Sequence, residues 1–168
     1  RCARRQSTLA HTIRNACVPE RLEQITAWLK AEPDFAGVDI RPASADASFR
    51  RYLRASFDDG STRVVMDAPP SHEDVKPWLH VQKLFHDAGT HVPEVLATDL
   101  ERGYLLLSDL GSTTYLADLT DANADARYRA AIDALIRIQL ASKPDALPPY
   151  DRALLKRELD LFPEWYLG

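Results

Sequence analysis

The chain has 168 residues, 45% of them hydrophobic and 27% charged, enough for one compact domain with a real core. Its net charge of −4 argues against a general nucleic-acid binder, whose footprint is basic. No apolar run approaches the ~18 residues that span a bilayer, and Arg1, Arg4 and Arg5 are not followed by the apolar stretch of a secretory leader.

The first 19 residues show little periodicity and are expected to be an extension outside the fold. The chain opens on Arg1 and its single methionine is Met66, so a segment of a longer reading frame is expected. Cys2 and Cys17 lack metal-ligand spacing and a His cluster, and read as free thiols in a reducing cytoplasm. Glu20 to Ala31 predicts an amphipathic helix, with Leu22, Ile25, Trp28 and Leu29 on one face and Pro33 as its stop. Val38 to Pro42 predicts a short strand, and Ala43 to Ser48 a run of small and polar residues. Phe49 to Phe57 alternates. Phe49, Leu53, Ala55 and Phe57 take one side, Arg50, Tyr52, Arg54 and Ser56 the other, and Arg51 breaks the inner face. Asp58-Asp59-Gly60-Ser61 is a hairpin signal, Thr62 to Ala68 the returning strand, and Pro69-Pro70 its end.

Asp74 to Ala88 predicts a second amphipathic helix, with Gly89 at its C-terminal cap. Pro93 to Thr98 and Tyr104 to Leu107 predict two further strands. Beyond Ser108-Asp109-Leu110-Gly111 the pattern is helical: Ala124 to Ala141 carries Tyr128, Ile132, Leu135, Ile136 and Leu140 at helical spacing, and Asp151 is the expected cap of a helix running to Phe162. The expected fold class is α+β: a five-stranded antiparallel sheet with one inserted helix, then helices, the layout of a protein-kinase-like small lobe leading into a large lobe.

Several segments carry a resemblance in the same order: Pro42-Ala-Ser-Ala-Asp-Ala-Ser-Phe-Arg-Arg-Tyr52, Val64-Val-Met-Asp-Ala-Pro-Pro70, Val92-Pro-Glu-Val-Leu96, Tyr104-Leu-Leu-Leu-Ser-Asp-Leu-Gly111, and Leu147-Pro-Pro-Tyr-Asp151 through Glu158-Leu-Asp-Leu-Phe-Pro-Glu-Trp-Tyr166. Over roughly residues 20 to 168 the chain resembles the aminoglycoside-phosphotransferase-like kinases. Within that family it is most similar to the anomeric N-acetylmuramate/N-acetylglucosamine kinases of cell-wall recycling.

The resemblance implies ATP and Mg2+ as cofactors and an amino sugar as acceptor; the charge and the lack of a spanning apolar run lead to the expectation of no nucleic-acid and no membrane partner. It implies an organisation of 1–19 as extension, 20–107 as the nucleotide-binding lobe, and 108–168 as linker and incomplete helical lobe. A loop that holds polyphosphate needs small residues, so that backbone N–H groups approach the phosphates. Ser44, Ala45, Asp46, Ala47 and Ser48 are candidates, with Arg50 and Arg51 for charge. The same residues also fit a plain β-turn with surface arginines. In the family the adenine ring lies against the strand-to-helix linker, which makes Leu107, Asp109 and Leu110 candidate backbone contacts; Asp109 equally fits a helix N-cap.

Two departures stand out. The third strand reads Val64-Val65-Met66-Asp67-Ala68, without the Lys that many kinases place there. Glu73 or Asp74 is an acid that either organises the lobe or complements the dipole of the following helix. Phosphoryl transfer also needs a base-like Asp and magnesium ligands. The family holds these in a His-x-Asp-x4-Asn loop and a later Asp motif, yet no His follows His91. No catalytic residue and no metal ligand is therefore assigned here, and the 168 residues alone are expected to be inactive. His72, His80, His86 and His91 are too scattered for a metal site, and Trp28, Trp78 and Trp165 are expected in the core or at lobe contacts. Helices without partners are expected to expose apolar faces and associate. Two other readings stay open: a non-catalytic nucleotide-binding or interaction module, and a phosphotransferase for an aminoglycoside or another hydroxyl acceptor.

Overall fold

The computed structural model describes residues 18–31, 35, 37–45 and 49–167. Cys2, Cys17 and nearly all of the expected extension lie outside them. Helix α1, Val18–Lys30, starts two residues earlier than its pattern suggests. Its Ile25 and Leu29 are four apart, share one stripe, and are sequestered from water.

Five strands follow: β1 Asp39–Ala45, β2 Arg51–Ser56, β3 Thr62–Asp67, β4 Val95–Asp99 and β5 Tyr104–Ser108, with helix α2, Lys76–Asp87, between β3 and β4. Their order in the sheet is β1-β2-β3-β5-β4, antiparallel throughout. This is the α+β small-lobe arrangement that the order of elements predicts.

Both faces of the sheet centre are covered. On one, Ala55, Val65, Tyr104 and Leu106 pack with Ile25 and Leu29 of α1. On the other, Met66, Ala68, Leu105 and Leu107 pack with Val75, Trp78 and Leu79. Burial on two faces is why β5 reads as an unbroken apolar run and not as an alternation.

The β2–β3 hairpin closes as predicted. Phe57 N–H donates to Ser61 O at 3.0 Å, Gly60 N–H to Phe57 O at 3.0 Å, and Ser61 N–H to the Asp59 carboxylate at 2.8 Å. Gly60 takes φ +82°, the left-handed conformation this turn requires. At the β4–β5 turn Gly103 (φ +75°) comes so close to β3 that an added Cβ would lie 1.9 Å from Ala68 O.

Strand β1 departs from expectation. It continues to Ala45, pairing Ser44 with Tyr52 and Ala45 with Arg51, after a bulge between Pro42 and Ser44. Small residues without alternation hide a strand of this kind, and the bulge shifts its register by one. Pro42 is tolerated because β1 is an edge.

The chain divides into two compact units. One holds α1, the sheet, α2 up to His86 and the short helix α3, Tyr115–Asp118; the other comprises Asp87–Thr90 and the residues from Leu119 onward. In the second unit α4 is Ala124–Ala141 and α5 is Arg152–Phe162, followed by a π-helical turn, Pro163–Leu167. Asp151 caps α5 by accepting Leu154 N–H at 2.8 Å, as its position predicts. Ile132, Leu135 and Leu140 of α4 are exposed. Trp165, expected in a core or contact, is 84% exposed in the π turn. No helix among the described residues is long and apolar enough to cross a membrane.

Candidate functional site

Within the first unit a cleft of about 640 Å³ opens on the α2 side of the sheet. Its floor follows from register. Arg54 on β2 faces Val64 on β3, and Val64 faces Leu107 on β5, so three side chains form one row across the sheet. Tyr52, Ala43 and Trp78 extend the wall, and the segment after β5, Ser108 to Gly111 with Ser112 and Thr114, forms the rim. An apolar floor with a few polar groups at one edge, at this volume, suits a small-molecule ligand.

The rim is held by one ion pair. Arg54 Nε donates to Asp109 Oδ2 at 2.6 Å and Nη2 to Oδ1 at 3.1 Å. The same Nη2 donates to Gly111 O at 3.2 Å, and Gly111 N–H donates to Asp109 Oδ1 at 2.8 Å. Gly111 adopts φ +88°. The Asp109 side chain is 5% exposed and that of Arg54 30%. The Arg54 hydrogen bonds are the main reason that the Asp109 carboxyl is lowered to about 2; burial opposes this and the Gly111 N–H adds to it. Upstream, Ser108 is stitched to Glu94 twice: its N–H donates to Glu94 O, and its hydroxyl accepts Glu94 N–H, both at 2.9 Å.

The N-cap role for Asp109 is corrected. Asp109 is spent on Arg54 and Gly111, and Ala117 N–H reaches Thr114 Oγ1 at 3.3 Å, so Thr114 caps the next helix.

The candidate residues divide. Leu107, Asp109 and Leu110 line the cleft. Ser44 and Ala45 belong to β1 and not to a loop. Asp46, Ala47 and Ser48 lie outside the described residues. Arg50 sits half-buried at the foot of β2. Arg51 is not brought to the cleft: it shares the α1 face with Leu53 and Ala55, and its guanidinium binds the buried Asp67. Arg21 of α1 binds the other Asp67 oxygen, through Nε at 3.0 Å and Nη2 at 2.5 Å. The two oddities of the sequence, an arginine on an inner face and an acid in the strand that lacks a lysine, are thus partners.

Of the two acids before α2, Asp74 accepts Lys76 N–H at 3.0 Å at the helix start. Glu73 accepts Phe49 N–H at 3.3 Å, and the Phe49 ring stacks on His72 at 4.5 Å. Together these tie the segment entering β2 to the approach of α2. Among the described residues no three of His, Cys, Asp and Glu gather into a metal-ligand set, so the residues present do not fit magnesium. Sequence reasoning missed Arg54, Tyr52, Val64 and Trp78 as site residues. The alternation of Tyr52 and Arg54 on one strand face was the available signal.

A five-stranded antiparallel sheet with an inserted helix, and a cleft against its strand-to-helix exit, define a kinase-like small lobe. The phosphotransferase enzyme family (APH) matches residues 39–168, and the chain belongs to that family. It is 50% identical over 154 residues to an N-acetylmuramate/N-acetylglucosamine kinase of Pseudomonas aeruginosa, covering 92% of this chain and 44% of that protein. A protein of the same name in Pseudomonas putida is 45% identical, covering 88% of the chain and 46% of the relative. One in Neisseria meningitidis is 42% identical, covering 89% and 45%. The chain thus spans under half the length of these curated relatives.

Proposed function

We propose that this chain is the nucleotide-binding portion of an ATP-dependent phosphotransferase whose acceptor is an amino sugar, N-acetylmuramate or N-acetylglucosamine. One observation carries the nucleotide reading: Val64 and Leu107, in one register row with Arg54, lay an apolar floor beside the hydrogen-bonded linker turn. A planar base on that floor has the backbone of Leu107, Asp109 and Leu110 at its edge. Triphosphate then runs towards the end of β1 and the start of β2, where Ser44 and Ala45 supply small residues and Arg50 supplies charge. Residues 20–107 form the nucleotide lobe in this reading, and 108–168 the linker and first helices of the acceptor lobe. The names of the relatives support the acceptor. Magnesium, which accompanies ATP in such enzymes, takes its ligands from elsewhere in the protein. The work is placed in the cytoplasm, where ATP is.

The test is phosphoryl transfer from ATP, with N-acetylmuramate, N-acetylglucosamine and an aminoglycoside as acceptors, in the intact protein and in these 168 residues. The intact protein is expected to phosphorylate the two amino sugars. The 168 residues are expected to bind ATP and transfer nothing, since no His follows His91 and no His-x-Asp-x4-Asn loop is present. Preference for the aminoglycoside overturns the acceptor, and failure of both proteins to bind ATP overturns the nucleotide site. Binding without transfer in the intact protein favours a nucleotide-binding module.

A further inference from the structure

We propose that Arg54 and Asp109 act as a single lock that shapes the linker for base recognition, so that Arg54 is a positioning residue for selectivity among purine bases and not a phosphate ligand. This rests on the nucleotide-site reading above.

Arg54 is the arginine that lines the cleft, and a cationic side chain in a cleft for a polyanion would ordinarily be assigned to phosphate. Its geometry argues otherwise. Three of the five guanidinium N–H donors are engaged, Nε and Nη2 on the Asp109 carboxylate and Nη2 again on Gly111 O. The Nε/Nη2 side of the fork is occupied, and its charge is paired with a carboxylate, before any ligand arrives.

What the pair does is visible in the chain it grips. Arg54 stands on β2 and Asp109 lies 55 residues later, just past the end of β5. Asp109 in turn accepts Gly111 N–H, and Gly111 O returns to Arg54. Three polar contacts close on the turn Asp109–Leu110–Gly111, whose last residue requires positive φ. The turn is anchored from the sheet face and not from the linker alone. Leu110 sits at the apex of this braced turn, so its backbone is presented in one orientation before a ligand binds. Two-point readout of a base edge by backbone N–H and C=O groups depends on such preorganisation. Releasing the turn leaves those groups present but no longer aimed, which weakens the base contact and lets a purine with the opposite edge pattern compete.

The experiment measures binding of ATP, GTP, adenosine and inorganic tripolyphosphate to the intact protein and to its Arg54→Gln, Arg54→Lys and Asp109→Asn variants, with thermal unfolding as a check on folding. Loss of one charge-assisted pair predicts about a 10-fold weaker adenosine affinity in R54Q and in D109N, and a fall in the ATP-over-GTP ratio. Tripolyphosphate affinity is expected to stay within about 2-fold of wild type in R54Q, a smaller change than the loss of a single hydrogen bond, and not to fall in D109N, which leaves the Arg54 charge without its counter-ion. R54K, which keeps the charge but not the fork, is expected to behave like R54Q. The double variant R54Q/D109N is expected to be no worse than either single variant, because each already opens the lock.

Loss of tripolyphosphate binding in folded R54Q, with adenosine unchanged, makes Arg54 a phosphate ligand and overturns the inference. Additive losses in the double variant, or unchanged base selectivity in every folded variant, overturn it as well. D109N removes a charge at nearly constant volume and keeps the test valid should R54Q fail to fold. Wild-type protein that binds none of the four ligands overturns the nucleotide-site reading, and this inference with it. Wild-type binding with unaltered variants overturns this inference alone.

Discussion

At the scale of single residues, two glycines with positive φ make opposite demands. Gly60 stands in open space, so Gly60→Ala meets only the left-handed backbone cost of about 1 kcal/mol. Gly103 carries the same cost and also a steric one: its added Cβ would meet Ala68 O at 1.9 Å, and that strand cannot retreat because Ala68 N–H is bonded to Gly103 O at 2.9 Å. Gly103→Ala is expected to lower stability by about 3 kcal/mol in urea unfolding, well beyond the Gly60 variant. Asp109 supplies a pH-dependent effect. Its carboxyl is held down to about 2 in the fold, chiefly by Arg54. A depressed carboxyl contributes stability that is fully present above its unfolded value, roughly 4, and that is lost as pH falls through the folded value. The thermal midpoint is therefore expected to be insensitive to this pair near neutrality and to drop between about pH 4 and pH 2. Asp109→Asn is expected to remove that share of the acid sensitivity.

At the scale of elements, α1 and the sheet are joined by the cluster Arg21–Asp67–Arg51 as well as by apolar packing. Asp67 is fully buried, and Arg21 further donates to Arg102 O at 2.8 Å and lies 5.0 Å over the Tyr104 ring. Removing the carboxylate alone strands two cations, so Asp67→Ala is expected to cost about 3–5 kcal/mol. Replacing all three by apolar residues of similar size is expected to recover most of that loss, which equilibrium unfolding of the single and triple variants would measure.

The same elements show what the sequence could reveal and what it could not. Strands β2 and β3, the hairpin between them and the Asp151 cap obey local rules, so periodicity and turn chemistry were enough to find them. The end of β1 did not yield, because Ala43, Ser44 and Ala45 look like loop and only the register with Tyr52 and Arg51 makes them strand. The site was harder still. Arg54 and Asp109 meet across 55 positions, Arg21 and Asp67 across 46, and no local pattern announces either encounter. Arginines 50 and 51 drew attention by lying beside the small-residue run, whereas alternation sends Arg51 to the α1 face and Arg54 to the cleft.

At the scale of the whole chain, the two units differ in how well they are covered. The sheet centre is covered on both faces, while α4 and α5 leave Tyr128, Ile132, Leu155, Leu159 and Phe162 exposed. We propose that this surface drives self-association of the 168 residues. Light scattering is expected to give a mass above 18.9 kDa that rises with concentration; a monodisperse monomer at every concentration would reject it. Helix α1 has a practical consequence of another kind. The family match starts at Asp39, yet Ile25 and Leu29, ahead of that border, supply the apolar cover for one side of the sheet. A gene trimmed at that border would therefore express a sheet stripped of half its roof, and cloning boundaries for this lobe belong upstream of Val18.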